Sequence, residues 1–259
     1  MRRGWSARRK RAVVVCGICV IAAARLTAQS ISGDEVLRRM EHTLFPDSYR
    51  MRMNMITNER DGRAREMELT VQYRRETGAY MEIESPPRWR GTRVLQRDDT
   101  LWMFIPRSGS RSAIRLADRD AFQGSVFSNR DIGESMYTED YTATIVRRES
   151  VRHDDLGETT AFVIEATPLH DAAAYGRILA WVTVDEFIPV KVQYFVRAGM
   201  QTKEMRLYDI RELAGRRRPV RLEMHSLEEE GKVSIVTILE LEADESLPDG
   251  IFTHDHLTR

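Results

Sequence analysis

Cysteine is nearly absent from this 259-residue sequence, and both of its cysteines lie near the N-terminus. Cys16 and Cys19 fall within one apolar run, which cannot provide the folded strand–helix unit that a redox Cys-x-x-C pair requires. Beyond residue 28 there is no cysteine, which excludes disulfide bonds, a thiolate nucleophile and cysteine-ligated metal from the rest of the chain. That part must be stabilised by its apolar core.

Common enzyme signatures are also missing, among them G-x-S-x-G, G-x-G-x-x-G, G-x-x-x-x-G-K-[ST] and H-E-x-x-H. The six histidines are scattered, and their closest group, His254-Asp255-His256, lies near a chain end, where mobility is usual. The acidic pairs Asp98-Asp99 and Asp154-Asp155 stand at turn positions that favour Asp. We therefore expect no catalytic site, no metal and no cofactor.

The chain as a whole carries no net charge, because its 40 Lys and Arg residues balance its 40 Asp and Glu residues. That balance argues against a nucleic-acid-binding protein, which usually carries a basic excess. The charges are unevenly distributed, since residues 1–28 hold seven basic and no acidic residues. The remainder carries 33 basic and 40 acidic residues, a net charge of −7.

The basic segment has the three parts of a secretory signal. Arg2–Arg11 form a positive region, Ala12–Ala24 form an apolar run of 13 residues, and Leu26-Thr27-Ala28 provide a cleavage site. As a helix, such a run reaches only ~20 Å, short of the ~30 Å hydrocarbon core of a bilayer. The pattern predicts an exported protein cleaved after residue 28, with anchoring through an uncleaved or lipidated N-terminus as the alternative.

Hydrophobic periodicity after the signal changes from helical to alternating. A helical stripe capped by Ser32 or Asp34 ends before Pro46. Its apolar residues are Val36, Leu37, Met40 and Leu44. Two alternating segments around residues 51–55 and 67–73 then flank the turn signal Asp61-Gly62, which predicts a long hairpin with one apolar face.

Further alternating segments, separated by turn residues, continue toward the C-terminus. The predicted strands are 79–84, 91–97, 101–105, 111–116, 141–152, 158–167, 175–184, 188–197, 200–210, 218–228 and 232–242. Residues 118–140 break the pattern and predict a loop with one or two short helices. We predict one mainly β domain over residues 29–259: a curled antiparallel half-barrel of about eleven strands with an N-terminal helix and a short helical insertion.

A curled sheet of this size encloses more space than its own side chains fill. One helix and a short insertion fill little of that space, so we predict a partly open, apolar interior. Methionine, which adapts to varied apolar ligands, is frequent on the first strands. The candidate lipid-binding residues are Met51, Met53, Met55, Met67, Leu69, Met81, Trp102 and Phe104. Ordinary core packing is the alternative explanation, and the pattern leaves open which strand face lines the interior.

Two other segments have features of functional surfaces. A loop as long as 118–140 within a compact sheet is often functional, and we expect it to form a lid that carries Phe122 and Phe127. The run Arg216-Arg217-Arg218 is a candidate contact for anionic lipid headgroups or a membrane partner. Alternatively, these arginines protect the start of a strand from edge pairing.

Several motifs carry a family resemblance across residues 33–257. The most specific is residues 124–131 (GSVFSNRD), and the chain also contains 86–92 (PPRWRGT), 101–106 (LWMFIP), 139–141 (EDY), 181–182 (WV), 188–191 (IPVK) and 247–252 (LPDGIF). In these motifs and their order the chain resembles the LolA-like family, the periplasmic carriers that sort outer-membrane lipoproteins, and in particular its longer branch.

This resemblance implies a half-open barrel that holds the acyl chains of a lipoprotein or another lipid-like cargo in the periplasm. It also implies a monomer, with an inner-membrane exporter and an outer-membrane acceptor as partners. The half-barrel also resembles the lipid-sensing part of envelope-stress regulators, so a regulatory module that binds a membrane anti-sigma factor is the second hypothesis. A hydrolase of envelope lipids is the third, which the missing motifs disfavour.

Overall fold

One antiparallel sheet contains all the strands of the described chain. The computed structural model describes residues 31–97, 100–109, 111–117, 119–133 and 137–259, so the predicted signal lies outside the described residues. The strands are β1 (Ser48–Asn58), β2 (Ala64–Arg74), β3 (Gly78–Ser85), β4 (Arg93–Arg97), β5 (Thr100–Phe104), β6 (Ile114–Leu116), β7 (Tyr141–His153), β8 (Gly157–Pro168), β9 (Arg177–Thr183), β10 (Pro189–Phe195), β11 (Gln201–Leu213), β12 (Arg216–Ser226) and β13 (Val233–Ala243).

The strand order is β6-β5-β4-β3-β2-β1-β13-β12-β11-β10-β9-β8-β7. Between β6 at one edge and β7 at the other, the chain crosses through a segment that contains two short helices, α2 (Asn129–Gly133) and α3 (Tyr137–Asp140). The predicted curled, unclosed antiparallel sheet is confirmed. Its thirteen strands correspond one to one to the two segments of the predicted hairpin and the eleven further predicted strands, so the total of about eleven undercounted the predicted segments.

Alternation decides which side chains of the first hairpin enter the core. Met51, Met53 and Met55 are buried, whereas the residues between them are partly exposed. β1 pairs with β2 along its whole length and places Met55 opposite Met67. The inward-facing residues of this hairpin and of the other strands form one continuous apolar cluster, which confirms the predicted hairpin with a single apolar face.

Helix α1 (Gly33–Leu44) packs against this inner cluster. Ser32 caps the helix by accepting a hydrogen bond from the Glu35 N–H at 3.1 Å, and the predicted apolar stripe is buried. The helix start abuts β7 so closely that a Cβ on Gly33 would lie 2.3 Å from the Ala143 carbonyl oxygen. Within the described ranges, no helix is long and apolar enough to cross a membrane.

The C-terminal residues cover part of the opposite, outer face of the sheet. Helix α4 (His254–Thr258) and the 3-10 turn before it pack on β3, β4 and β5. The buried members of this outer cluster are Tyr80, Leu95, Phe104, Leu247, Phe252 and Leu257. His254 and His256 contact the rings of Trp102 and Tyr80 at centroid distances of 5.1 and 4.9 Å. Side-chain packing therefore holds the C-terminal residues in place, although their position near the chain end predicted mobility.

Candidate functional site

A cavity of about 110 Å³ lies between the inner face of the sheet and the segment that crosses its open side. We call the described part of that segment, residues 119–133 and 137–140, the lid. The lining residues are Leu44, Phe45, Tyr49, Met51, Met53, Phe127, Arg130, Asp131, Ile132, Tyr137, Asp140, Tyr141, Ala174, Tyr175, Tyr194, Met205, Leu222, Met224, Val236 and Ile238.

The sheet side of the cavity is apolar because inward-facing positions of adjacent strands meet there. Met53 of β1 lies opposite Ile238 of β13, and Met205 of β11 lies opposite Met224 of β12. These four side chains are at most 4% exposed. Unbranched methionine side chains change shape readily, so this wall suits hydrocarbon rather than one rigid ligand.

Two phenylalanines fasten the first half of the lid to the sheet. Phe122 and Phe127 are 0% and 4% exposed, and Phe127 also lines the cavity. Polar contacts hold the backbone around them. The Val126 N–H donates to Ser234 Oγ at 2.9 Å, and Arg65 donates to two lid carbonyl oxygens at 3.0 and 2.8 Å.

Asp131 connects the lid to the far side of the half-barrel. Its carboxylate accepts hydrogen bonds from the Tyr175 hydroxyl at 2.8 Å, from Lys203 Nζ at 3.2 Å and from the Ser128 N–H at 2.8 Å. The side chains of Asp131 and Lys203 are only 11% and 16% exposed. Opposite charges withdrawn from water in this way attract strongly. We call Asp131, Tyr175 and Lys203 the latch.

A second buried ion pair joins α2 to the last residue of the lid. Arg130 Nη2 lies 2.9 Å from Asp140 Oδ2, and the two side chains are 9% and 7% exposed. His170 Nε2 lies 2.9 Å from the other carboxylate oxygen of Asp140. Asp140 therefore connects the end of the lid to α2 and also to the loop between β8 and β9.

Helix α1 holds the end of the lid through Glu41, which is 1% exposed. Its carboxylate accepts hydrogen bonds from the Thr138 N–H at 2.6 Å and from the Thr138 hydroxyl at 2.7 Å. Burial raises the pKa of Glu41 above its ordinary value, although these hydrogen bonds act in the opposite direction. The closed position of the lid is thus coupled to the charge of a buried carboxyl group.

Four tyrosines that contact one another or the lid line the cavity, namely Tyr137, Tyr141, Tyr175 and Tyr194. The hydroxyls of Tyr137 and Tyr194 lie 2.9 Å apart, and the rings of Tyr175 and Tyr194 lie 4.6 Å apart. Burial raises the pKa of all four, that of Tyr141 to about 12. They therefore keep their protons at neutral pH, so these four lining side chains are neutral.

The enclosed space is small for a lipid. An engineered apolar cavity of ~150 Å³ accommodates benzene, and pockets for drug-sized ligands measure ~300–1,000 Å³. At about 110 Å³, this cavity holds only a few methylene groups. The interior predicted to be partly open is, in this conformation, largely filled by α1 and the lid, so a longer chain would enter only if the lid moved.

Residues 75–259 match a family of uncharacterized proteins, to which the chain belongs. A solved LolA superfamily protein from Nitrosomonas europaea is similar in structure, with a TM-score of 0.79, 26% sequence identity and coverage of 88% of this chain and 100% of that one. The fold of the chain is LolA-like.

Two other solved structures share the LolA-like fold. One is a DUF1329 family protein from Desulfovibrio piger, with a TM-score of 0.76, 18% identity and coverage of 87% of this chain and 97% of that one. The other is a domain from Vibrio parahaemolyticus assigned to outer membrane lipoprotein sorting, with a TM-score of 0.71, 19% identity and coverage of 88% and 98%. No functionally curated protein is significantly similar to the chain in sequence.

Most of the predicted lining residues lie on the inner face of this LolA-like sheet. Met51 and Met53 line the cavity. The others in the inner cluster pack around it without lining it, and they are Met55, Met67, Leu69, Met81 and the lid residue Phe122. Phe127, the second predicted lid residue, reaches the cavity itself.

Trp102 and Phe104 lie on the other face, in the cluster beneath α4. The prediction placed them inside because two aromatic residues stand at alternate positions of one strand. The structure turns their neighbours Leu101 and Met103 inward instead. Among the described side chains, no group of three or more His, Cys, Asp or Glu residues is positioned to hold a metal ion.

The predicted contact run Arg216-Arg217-Arg218 does not form one exposed patch. Arg218 is 1% exposed, and it donates hydrogen bonds to the Leu213 and Leu44 carbonyl oxygens, both at 2.9 Å. Burial, with a smaller effect of the Arg216 charge, lowers the pKa of Arg218 to about 10. Arg218 therefore fastens the end of α1 to the sheet, and only the other two arginines could contact a membrane or a partner.

The latch residues were not among the predicted site residues. Asp131 ends the GSVFSNRD stretch, which contributed only to the family resemblance. Lys203 stands on a strand where polar residues usually face solvent. One signal could have identified it: Lys203 is in phase with Met205 and Leu207, both inward-facing, and a charged residue in an inward position requires a partner.

Proposed function

We propose that this protein is an exported periplasmic carrier, which binds the acyl chains of a lipoprotein or another lipid-like cargo in its half-barrel. The observation that supports this proposal is an apolar cavity on the inner face of a LolA-like sheet. A lid held by buried polar contacts covers this cavity. The predicted secretory signal supports export. In this proposal residues 1–28 are removed and residues 29–259 form the single lipid-binding domain.

Lid opening is a barrier that cargo must cross both to enter and to leave, and in the bound state the lid is closed again. Removing one partner of a buried ion pair costs ~3–5 kcal/mol, which is an upper bound for separating Asp131 from Lys203 because opening exposes both charges to water. Each methylene that the acyl chain buries contributes ~0.8 kcal/mol to binding. The proposal expects weak binding of short acyl groups and binding that strengthens with chain length.

The proposed mechanism is passive transfer rather than catalysis. The two carboxylates in the cavity lining, Asp131 and Asp140, are each paired with a cation and hold the lid closed. In the proposal, a monomer receives cargo from an inner-membrane exporter. It releases the cargo when an outer-membrane acceptor offers a larger apolar site, because the greater buried area there lowers the free energy of the acyl chain.

Native mass spectrometry of the protein isolated from its own periplasm tests this proposal. We expect a fraction of the protein to carry acyl-containing molecules, which organic extraction then identifies. Met205→Trp should fill the cavity and abolish this fraction, whereas Met200→Trp, at a site 58% exposed, should retain it. Circular dichroism verifies that both variants are folded. An empty wild-type protein, or equal cargo on both variants, would contradict the proposal.

A further inference from the structure

The tyrosines that line the cavity have hydrogen-bond donors that a plain hydrocarbon slot would not need. Two of them, Tyr137 and Tyr141, come from different parts of the structure. Tyr141 is the first residue of β7, and Tyr137 belongs to α3 of the lid. Their ring centroids lie 6.4 Å apart, and both side chains line the cavity.

The Tyr141 hydroxyl already acts as an acceptor. It accepts a hydrogen bond from the Tyr175 N–H at 2.9 Å. A phenol has one hydrogen to donate, and the hydrogen bonds of the described residues include no acceptor for this one. Tyr141 is 5% exposed, so bulk water is a poor alternative acceptor.

The Tyr137 hydroxyl adds a second donor. It shares one hydrogen bond with the Tyr194 hydroxyl at 2.9 Å. Two hydroxyls that share one bond use only one of their two hydrogens, so the other remains available to a third group. A ligand oxygen near these tyrosines can therefore accept one hydrogen bond from Tyr141 on the sheet and a second from the hydroxyl pair that includes Tyr137 of the lid.

The charged side chains of the lining are already paired with one another. Arg130 lies against Asp140, and Asp131 lies against Lys203 just behind the lining. These four formal charges cancel. A carboxylate or phosphate group entering the cavity would meet neutral donors but no net positive charge, and an unpaired anion is costly to bury.

We propose that the cavity selects acyl groups attached through a neutral ester or amide. The carbonyl oxygen of that linkage accepts one hydrogen bond from the Tyr141 hydroxyl and another from the paired hydroxyls of Tyr137 and Tyr194. This inference rests on the proposed carrier function and narrows its cargo. Free fatty acids, which are anionic at neutral pH, are excluded because no cation in the lining is left to balance them. Because Tyr137 moves with the lid, the carbonyl contact also favours the closed position once cargo is bound.

Competition for a fluorescent ligand tests the inference on the purified full domain at pH 8. The reporter is N-phenyl-1-naphthylamine, an apolar probe without a carbonyl group, and the competitors are methyl dodecanoate and sodium dodecanoate. We expect the methyl ester to displace the reporter at a concentration at least about tenfold lower than the acid. One lost hydrogen bond is worth roughly threefold to tenfold in affinity, so Tyr141→Phe should weaken ester binding by that factor.

Three variants separate the outcomes. Tyr137→Phe provides a second test, because Tyr141→Phe also removes the acceptor of the Tyr175 N–H. Tyr80→Phe, in the outer cluster, is the control and should leave ester binding unchanged. Reporter affinity should be the same in all of them. If the acid competes as well as the ester, or if both cavity variants bind the ester normally, the proposed carbonyl site is refuted. The carrier function is unaffected by that result. If neither reporter nor ester binds, the carrier function itself fails.

Discussion

Asp131→Asn tests the latch directly, because it removes one charge and keeps the size of the side chain. The amide oxygen can still accept a hydrogen bond from Tyr175, but the attraction to Lys203 at 3.2 Å is lost. Removing one partner of a buried pair costs ~3–5 kcal/mol. The retained hydrogen bond and the 16% exposure of the lysine reduce the expected loss to ~2 kcal/mol.

A loss of ~2 kcal/mol in the closed state lowers the ratio of closed to open lid about 30-fold. We expect the dissociation rate of a fluorescent acyl ligand to rise by the same factor, measured by stopped-flow dilution. The matched control is Asp249→Asn, which also removes a carboxylate paired with an arginine but at a side chain 91% exposed. Unchanged release from Asp131→Asn, or equal acceleration in the control, would refute the latch.

A double-mutant cycle adds an independent check on the same pair. Lys203→Met leaves Asp131 buried without its cation and should accelerate release at least as much as Asp131→Asn. Because the two side chains interact directly, the effects should not add. The double variant should fall short of their sum by roughly 1–3 kcal/mol, and simple additivity would show that the two residues act separately.

Other predictions concern stability. Phe127→Ala should lower the free energy of unfolding by ~3–4 kcal/mol in urea titrations, since its ring is buried in the inner cluster, and a loss below ~1 kcal/mol would contradict that anchoring. Burial raises the pKa of Glu41 above 4.5, so the native state binds this proton more tightly than the unfolded state does. Wild-type stability should therefore fall as pH rises from 4.5 through the native pKa, and Glu41→Gln should flatten this dependence in thermal melts. Arg218→Ala should destabilise the fold by ~3 kcal/mol and Arg216→Ala by less than ~0.5 kcal/mol; equal melting temperatures would argue against the role of Arg218 at the end of α1.

Local pattern predicted much of this fold. Period-two alternation at Met51, Met53 and Met55 identified the first hairpin and its buried face, and helical spacing identified α1. These features depend on neighbours in sequence, so they are visible without a structure. The long break at residues 118–140 also marked the lid, because a crossing between the two edges of an unclosed sheet cannot continue the alternation.

Other features depend on contacts distant in sequence. Alternation showed that Trp102 and Phe104 share a face, but not that α4 covers that face from outside. The arginine run indicated an exposed patch, whereas the free carbonyl oxygens at the end of α1 draw Arg218 into the core. The latch joins Asp131 to Lys203 across the half-barrel, and only the folded sheet brings these residues together.

Photolabelling tests most directly whether the inner cavity is where acyl chains bind. The purified protein would be loaded with a dodecanoate ester that carries a diazirine in its chain, then irradiated, digested and sequenced by mass spectrometry. The proposal predicts labels on the inner strands, at Met51, Met53, Met205 and Met224. Labels confined to the outer cluster beneath α4, or to a separate buried cluster that contains Trp181 and Val190, would contradict it.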